Sequence, residues 1–227
     1  MVSFVGRVPC MTTESDKPYH HGQLGRAGID GAVEEVESVG VAAVSMRRIA
    51  RRAGVSHAAL SYRFGDKAGI FTAVATEGFR LAAAAIGSKA SGPNGFVHGG
   101  QAYIAFALTH RGYFEVMFRP NLYRGDDAQL AEARAAAFGV LYGSARASLE
   151  AHRGGPVSDD EVRGLVLAGW STSHGFATLA LTANLSEQLE AGSDALAALI
   201  VRGTVTMGEL AQSAESQLDP GEKNSAG

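Results

Sequence analysis

One cysteine, Cys10, is all that 227 residues contain, so the chain can form no intrachain disulfide and no zinc site built from several thiolates. That scarcity fits a reducing, cytoplasmic setting. Charged residues make up only 19% and aromatics 7%, and the net charge is −3, which excludes a uniformly basic, nucleic-acid-coating protein. The longest aliphatic run, residues 81–86, falls far short of the roughly 20 residues that span a bilayer, so no membrane association is expected. The first ten residues have neither the basic nor the apolar region of an export signal, and Met11 is an equally good start. Catalytic patterns are also missing. No H-E-x-x-H or Walker A sequence occurs, and His20 and His21 stand too isolated for a metal site. Residues 169–173 miss the G-x-S-x-G pattern by the final glycine, with no strand before them. Neither an enzyme nor a cofactor is expected.

What the chain has in excess is alanine, 39 residues, and glycine, 29. Alanine is the best helix former. Apolar residues recur with helical period almost throughout, and no window alternates with period 2. Ile29, Ala32, Val33, Val36 and Val39 form one stripe ending at Gly40, and Met46, Ile49, Ala50 and Ala53 form a shorter one ending at Gly54. A third short helix is predicted over 57–64, then a long one from Asp66 to about Ser88. Further helices are expected near 94–110, 111–119, 127–152, 159–183 and 193–212, with breaks at Pro93, Pro120 and Pro156. The acids Asp159, Asp160 and Glu161 open one of these helices, where negative charge suits the helix dipole. The fold class is all-α, with about nine helices. Residues 1–18 and 213–227 are polar, lack periodicity and read as a disordered arm and a flexible tail.

Residues 44–67 stand apart. Two short helices joined by a glycine-containing turn match a helix-turn-helix. Ala50 is small enough for close helix crossing, and Gly54 sits where a positive φ is needed. Ser56 is placed to cap the next helix, and Val55 and Leu60 are placed to bury against Ile49. This segment holds Arg47, Arg48, Arg51, Arg52, Arg63 and Lys67 against one acid, Asp66, giving +5 in an acidic chain. A solvated face usually mixes its signs; a local block of one sign marks an anion site, here DNA.

The run from Ser45 through Ile49, Ala50, Ala53, Gly54, Val55, Ser56, Leu60, Tyr62 and Phe64 to Lys67 resembles the N-terminal domain of the TetR family of transcriptional regulators. Ile29, Ala32, Val36 and Gly40 resemble that domain's first helix. The resemblance implies a DNA-binding domain over 19–66 and a helical ligand-binding and dimerisation domain over 67–212. It further implies a homodimer on a palindromic operator, released by a small-molecule ligand. It puts Ser56, His57, Ala58, Ala59, Ser61, Tyr62 and Arg63 on or beside the DNA-facing side of the recognition helix. Ser45, Arg47 and Arg48, at the start of the preceding helix, are DNA-binding candidates too, the two arginines at family positions that reach bases or phosphates, and Lys67 matches the family's phosphate-contacting lysine. Arg63 either takes guanine through O6 and N7 or meets a phosphate. Ser61 stands where the family usually has an aromatic, leaving Tyr62 as the ring there. The arm from Lys17 to His21 either follows the DNA backbone or is disordered.

In the second half, Trp170, His174 and Gly175 give W-x3-H-G, which resembles the motif of the WHG-type C-terminal domain of some TetR-like regulators. Trp170 and His174 share a helix face and serve either as core or as pocket lining. The aromatics Tyr103, Phe106, Tyr113, Phe114, Phe118, Phe138 and Tyr142 fall within 40 residues, so an apolar ligand cavity is expected among them. Apolar stripes through Leu165, Val166, Leu179, Leu196, Leu199, Ile200, Val205 and Leu210, with Gly169, Gly175 and Gly203 allowing close approach, are the candidate dimer interface. The same stripes fit a core within one protomer. The partners expected are operator DNA, a second copy and an effector of largely apolar character. A ligand-independent or activating regulator of the same fold is the alternative, since the sign of regulation depends on operator position.

Overall fold

The computed structural model describes residues 21–183, 190 and 192–218; Cys10, Met11 and the arm over 1–18 lie outside them, as do residues 219–227 of the tail. Among the described residues the fold is all-helical, with no strand. The helices are α1 (His21–Val39), α2 (Met46–Arg52), α3 (His57–Phe64), α4 (Lys67–Gly87), α5 (Gly95–Thr109), α6 (Arg111–Met117), α7 (Ala128–Arg153), α8 (Asp159–Thr182) and α9 (Ser193–Leu218).

The starts of these helices follow capping chemistry. Ser56 Oγ accepts from the Ala59 N–H at 3.1 Å, Asp66 from Gly69 at 2.9 Å and Asp127 from Leu130 at 2.9 Å. Ser158 and Glu161 form a reciprocal capping box on α8, with three acids in its first turn. Each such cap is worth about 1 kcal/mol and fixes where a helix begins. Gly54 turns the chain between α2 and α3 with φ of +67°, the left-handed region expected of it.

Two boundaries differ from the sequence reading. α1 begins eight residues before the stripe at Ile29. Its first turns meet the core through Leu24, Gly28 and Gly31, and glycines carry no hydropathy signal. A Cβ at Gly28 would stand 2.6 Å from the Phe64 ring, so the missing side chain is what allows the approach. α9 runs to Leu218, well into the stretch read as a tail.

The core centres on α4, which packs against α1, α5, α6 and α7. By length and mean hydropathy α4 is able to span a membrane, but 61% of its apolar window is buried inside the fold. One continuous cluster runs from Ala32 and Ile49 through Leu60, Phe71 and Val74 to Phe114 and Ala177. Fully burying a side chain such as Ile49 or Leu60 contributes about 1.5–3 kcal/mol. A smaller cluster joins Ala145, Val162 and Val166 beneath α7 and α8.

Candidate nucleic-acid interface and an apolar cavity

α3 divides cleanly. Leu60 and Phe64, at i and i+4, are buried in the core, which turns His57, Ala58 and Tyr62 outward. Tyr62 is 85% exposed, an unusual position for an aromatic ring with no partner in the fold. Ser61 and Ala59 are half-buried at the flanks.

The six cations of this segment do not behave alike. Glu35, on α1, is buried with a side chain only 3% exposed, and it accepts hydrogen bonds from Arg48 and from Arg52 Nε, the latter at 2.7 Å. Burial alone would raise its pKa; the two guanidinium groups outweigh this and hold the carboxyl below its ordinary range. Arg48, expected to reach DNA, is thus engaged through Nε by Glu35, a contact that ties α2 to α1, while its side chain stays 40% exposed. Arg63, though exposed, is folded back with its guanidinium 5.2 Å from the Phe64 ring and beside Gly25 of α1. Lys67 Nζ donates to the Val41 carbonyl at 3.2 Å and lies 5.3 Å from the Phe71 ring centre. Arg47 and Arg51 are exposed and form no ion pair among the described residues. Ser45 is the α2 cap, its hydroxyl 3.4 Å from the Arg48 N–H.

Aromatic residues of the second half line a cavity of about 160 Å³ bordered by α4 to α9 and partly open to solvent, with Val205 of its wall 56% exposed. Tyr103, Phe118, Phe138 and Trp170 line it, as the sequence suggested. The other five expected residues do not. Phe106 and Tyr113 are buried in the core, and Phe106 stacks on His110 at 4.8 Å. Tyr142 is 39% exposed and lies outside the wall, one residue past Leu141, which faces in. Phe114 and His174 border a second, more polar cleft of about 270 Å³ with Arg111, Arg119 and Glu115; Phe118 is common to both spaces.

The Tyr103 hydroxyl lies 2.7 Å from His174 Nδ1. Burial pushes the Tyr103 phenol far above its usual range, against an opposing hydrogen bond from Trp170, and it lowers the pKa of His174. Both shifts favour the neutral forms, and the two groups share one hydrogen bond.

Several residues expected at a dimer interface lie inside the protomer. Val166 is 1% exposed within the smaller cluster and Leu196 is fully buried, so neither offers a surface to a partner. Leu165 packs on the same cluster, and Ile200 faces the cavity with Val201, Thr204 and Val205. A Cβ at Gly169 would meet the Phe96 ring at 2.6 Å, so that close approach is internal too. Leu179 at 59%, Leu199 at 48%, Leu210 at 66% and, although it borders the cavity, Val205 at 56% are exposed, and Gly175 and Gly203 have open space beside them.

Glu35, Ser173 and the α9 residues of the cavity wall other than Ile200 and Val205 were not singled out from sequence. Glu35 had a signal: it is an acid beside Val36 within the apolar stripe of α1, where a charge needs a partner.

The family model described as bacterial regulatory proteins, tetR family, matches residues 29–74, and that of the tetracyclin repressor-like C-terminal domain matches residues 96–204. A solved protein of unknown function from Rhodococcus sp. RHA1 is 32% identical over 83% of this chain and 98% of that one, with a TM-score of 0.63. The TetR family transcriptional regulator PfmR from Thermus thermophilus shares the fold at 20% identity, covering 77% of this chain and 97% of that one with a TM-score of 0.53. SmeT, solved in complex with triclosan, shares it at 16% identity over 81% and 90%, TM-score 0.51. No curated protein matches the chain.

Proposed function

The chain belongs to the TetR family of transcriptional regulators, and from that premise we propose that it is a homodimeric repressor released from a palindromic operator by a small molecule in the α4–α9 cavity. The observation that carries the reading is the outward face of α3, where Tyr62 is 85% exposed, together with the exposed Arg47 and Arg51 of the preceding helix. An exposed aromatic on a helix that follows such cations has the chemistry of a groove contact accompanied by phosphate contacts. His57, Ala58, Ala59 and Ser61 complete the reading surface, and Ser56 presents the free N-terminal turn of α3.

The dimer surface is assigned to Leu179, Leu199 and Leu210, with Gly175 and Gly203 allowing helices of two copies to approach. Two α3 helices about 34–36 Å apart then meet successive major grooves on one side of the DNA. A cavity ligand weakens operator binding only by its differential affinity for the DNA-competent and released states. A cytoplasmic location follows from an operator as the partner.

Selection of bound sequences from random DNA tests the proposal. A palindrome with half-sites one helical turn apart is the expected product. An asymmetric consensus, or a monomer by sedimentation at micromolar concentration, removes the two-half-site mechanism.

A further inference from the structure

The chemical class of the effector can be read from the cavity wall, given the reading above that this cavity is the effector site. We propose that it takes a neutral, single-ring molecule bearing one hydroxyl, a small phenol, anchored on Ser173.

Size sets the first limit. At about 160 Å³ the cavity matches the engineered apolar cavity of about 150 Å³ that holds benzene. Charge sets the second. Among the described residues no Asp, Glu, Lys, Arg or His lines the cavity, so an ionised ligand meets no counter-charge from them.

Hydrogen bonding sets the third. Five hydroxyls belong to lining residues: Tyr103, Ser144, Thr172, Ser173 and Thr204. Four already have hydrogen-bond partners. Ser144 donates to the Leu141 carbonyl at 3.0 Å, Thr172 to Ala168 at 2.9 Å and Thr204 to Ile200 at 2.9 Å, while Tyr103 is paired with His174 Nδ1. Ser173 alone has no hydrogen-bond partner among the described residues. It lies one turn beyond Trp170 on the same face of α8, across from Gly100 of α5, where a Cβ would be 3.4 Å from its Oγ. The remaining wall is apolar. One ligand hydroxyl therefore meets one free hydroxyl. It can both donate to the Ser173 oxygen and accept the Ser173 proton, whereas an ether can only accept.

The test uses the full chain and its single tryptophan, Trp170, which lies in the cavity wall and reports occupancy by fluorescence. Three probes of one ring are titrated: p-cresol, its methyl ether 4-methylanisole, and p-toluate at pH 7.5. Saturable change with p-cresol is expected. The ether should bind about three- to tenfold more weakly, and the carboxylate at least about tenfold more weakly. Ser173→Ala should weaken p-cresol more than it weakens the ether and so narrow the gap between them. Gly100→Leu and, from the opposite wall, Ala137→Leu should abolish the signal in chains whose helical circular dichroism is intact. Carboxylate binding as tight as p-cresol, no saturation by any probe, or p-cresol binding unchanged by Ser173→Ala or by both filled variants overturns the proposal. Operator affinity is measured separately with each probe. Binding as expected with operator affinity unmoved supports the ligand class and removes the release mechanism instead.

Discussion

The Tyr103 hydroxyl, on α5, is held at 2.7 Å by Nδ1 of His174 on α8, whose ring also lies 6.0 Å from that of Trp170 one turn away. The W-x3-H spacing thus has a physical content: its histidine ties α8 to α5 beside the cavity that its tryptophan lines. Burial keeps His174 below its ordinary pKa of 6.5. As pH falls, the unfolded chain binds that proton first, so this contribution to stability is whole above about pH 6.5 and is lost as pH drops toward the folded pKa. Urea midpoints of the native chain should therefore fall between pH 7.5 and 5.5, and those of His174→Gln should fall less. Glu35, Asp66 and Glu161 are held low and lose their contributions only as pH falls below about 4.5, outside that window. Equal slopes in both proteins would assign the loss to other groups.

Glu35 bears on how α2 is positioned. Its side chain is 3% exposed, while those of Arg48 and Arg52 are 40% and 32% exposed. Removing a fully buried partner costs about 3–5 kcal/mol, but guanidinium groups with water access recover part of that loss. Glu35→Gln should cost about 1–2 kcal/mol in urea denaturation and lower operator affinity by loosening α2. An unchanged midpoint would mean that the pair does no more than break even with solvation.

Local chemistry was legible in the sequence, and long-range pairing was not. Ser56, Asp66 and the acids at 159–161 mark helix starts through contacts within four residues, and the structure places them so. The first two turns of α1 were hidden because Gly25, Gly28 and Gly31 show no hydrophobic period. The +5 block overstated the free charge, since Glu35 arrives from another helix to bind two of the six cations. Val166, Leu196 and Ile200 have the period of an interface, yet period fixes only which residues share a face. What that face meets is decided by α5 and α7, which are distant in sequence.

Lys67 separates two roles that one residue can hold. Its ammonium bonds the Val41 carbonyl and lies near Phe71, so it ties the start of α4 to the turn after α1. A phosphate contact would release one counterion. Lys67→Ala should then weaken binding to all DNA sequences alike and lower the slope of log affinity against log salt by about 1. A stability loss with an unchanged slope would confine Lys67 to the turn. Arg63→Ala is the contrasting case: if the side chain leaves Phe64 to read guanine, the loss is about 1–3 kcal/mol at one base pair.

The route from cavity to reading head can be tested at Gly112. α6 carries Met117 at one end, in the cavity wall, with Phe118 just beyond it. At its other end the Gly112 N–H donates to Glu37 of α1 at 3.0 Å. A Cβ at Gly112 would lie 2.8 Å from the Val33 carbonyl oxygen, a backbone atom of α1 with little room to give. Alanine would gain up to about 1 kcal/mol of helix propensity, but the crowding forces α6 away from α1 at a cost of about 1–3 kcal/mol. Gly112→Ala should therefore be less stable, still bind p-cresol by Trp170 fluorescence, and show a smaller change in operator affinity on binding it. If the change is as large as in the native chain, α6 is not the coupling element, and α4, which runs from the cavity wall to the end of α3, must carry it alone.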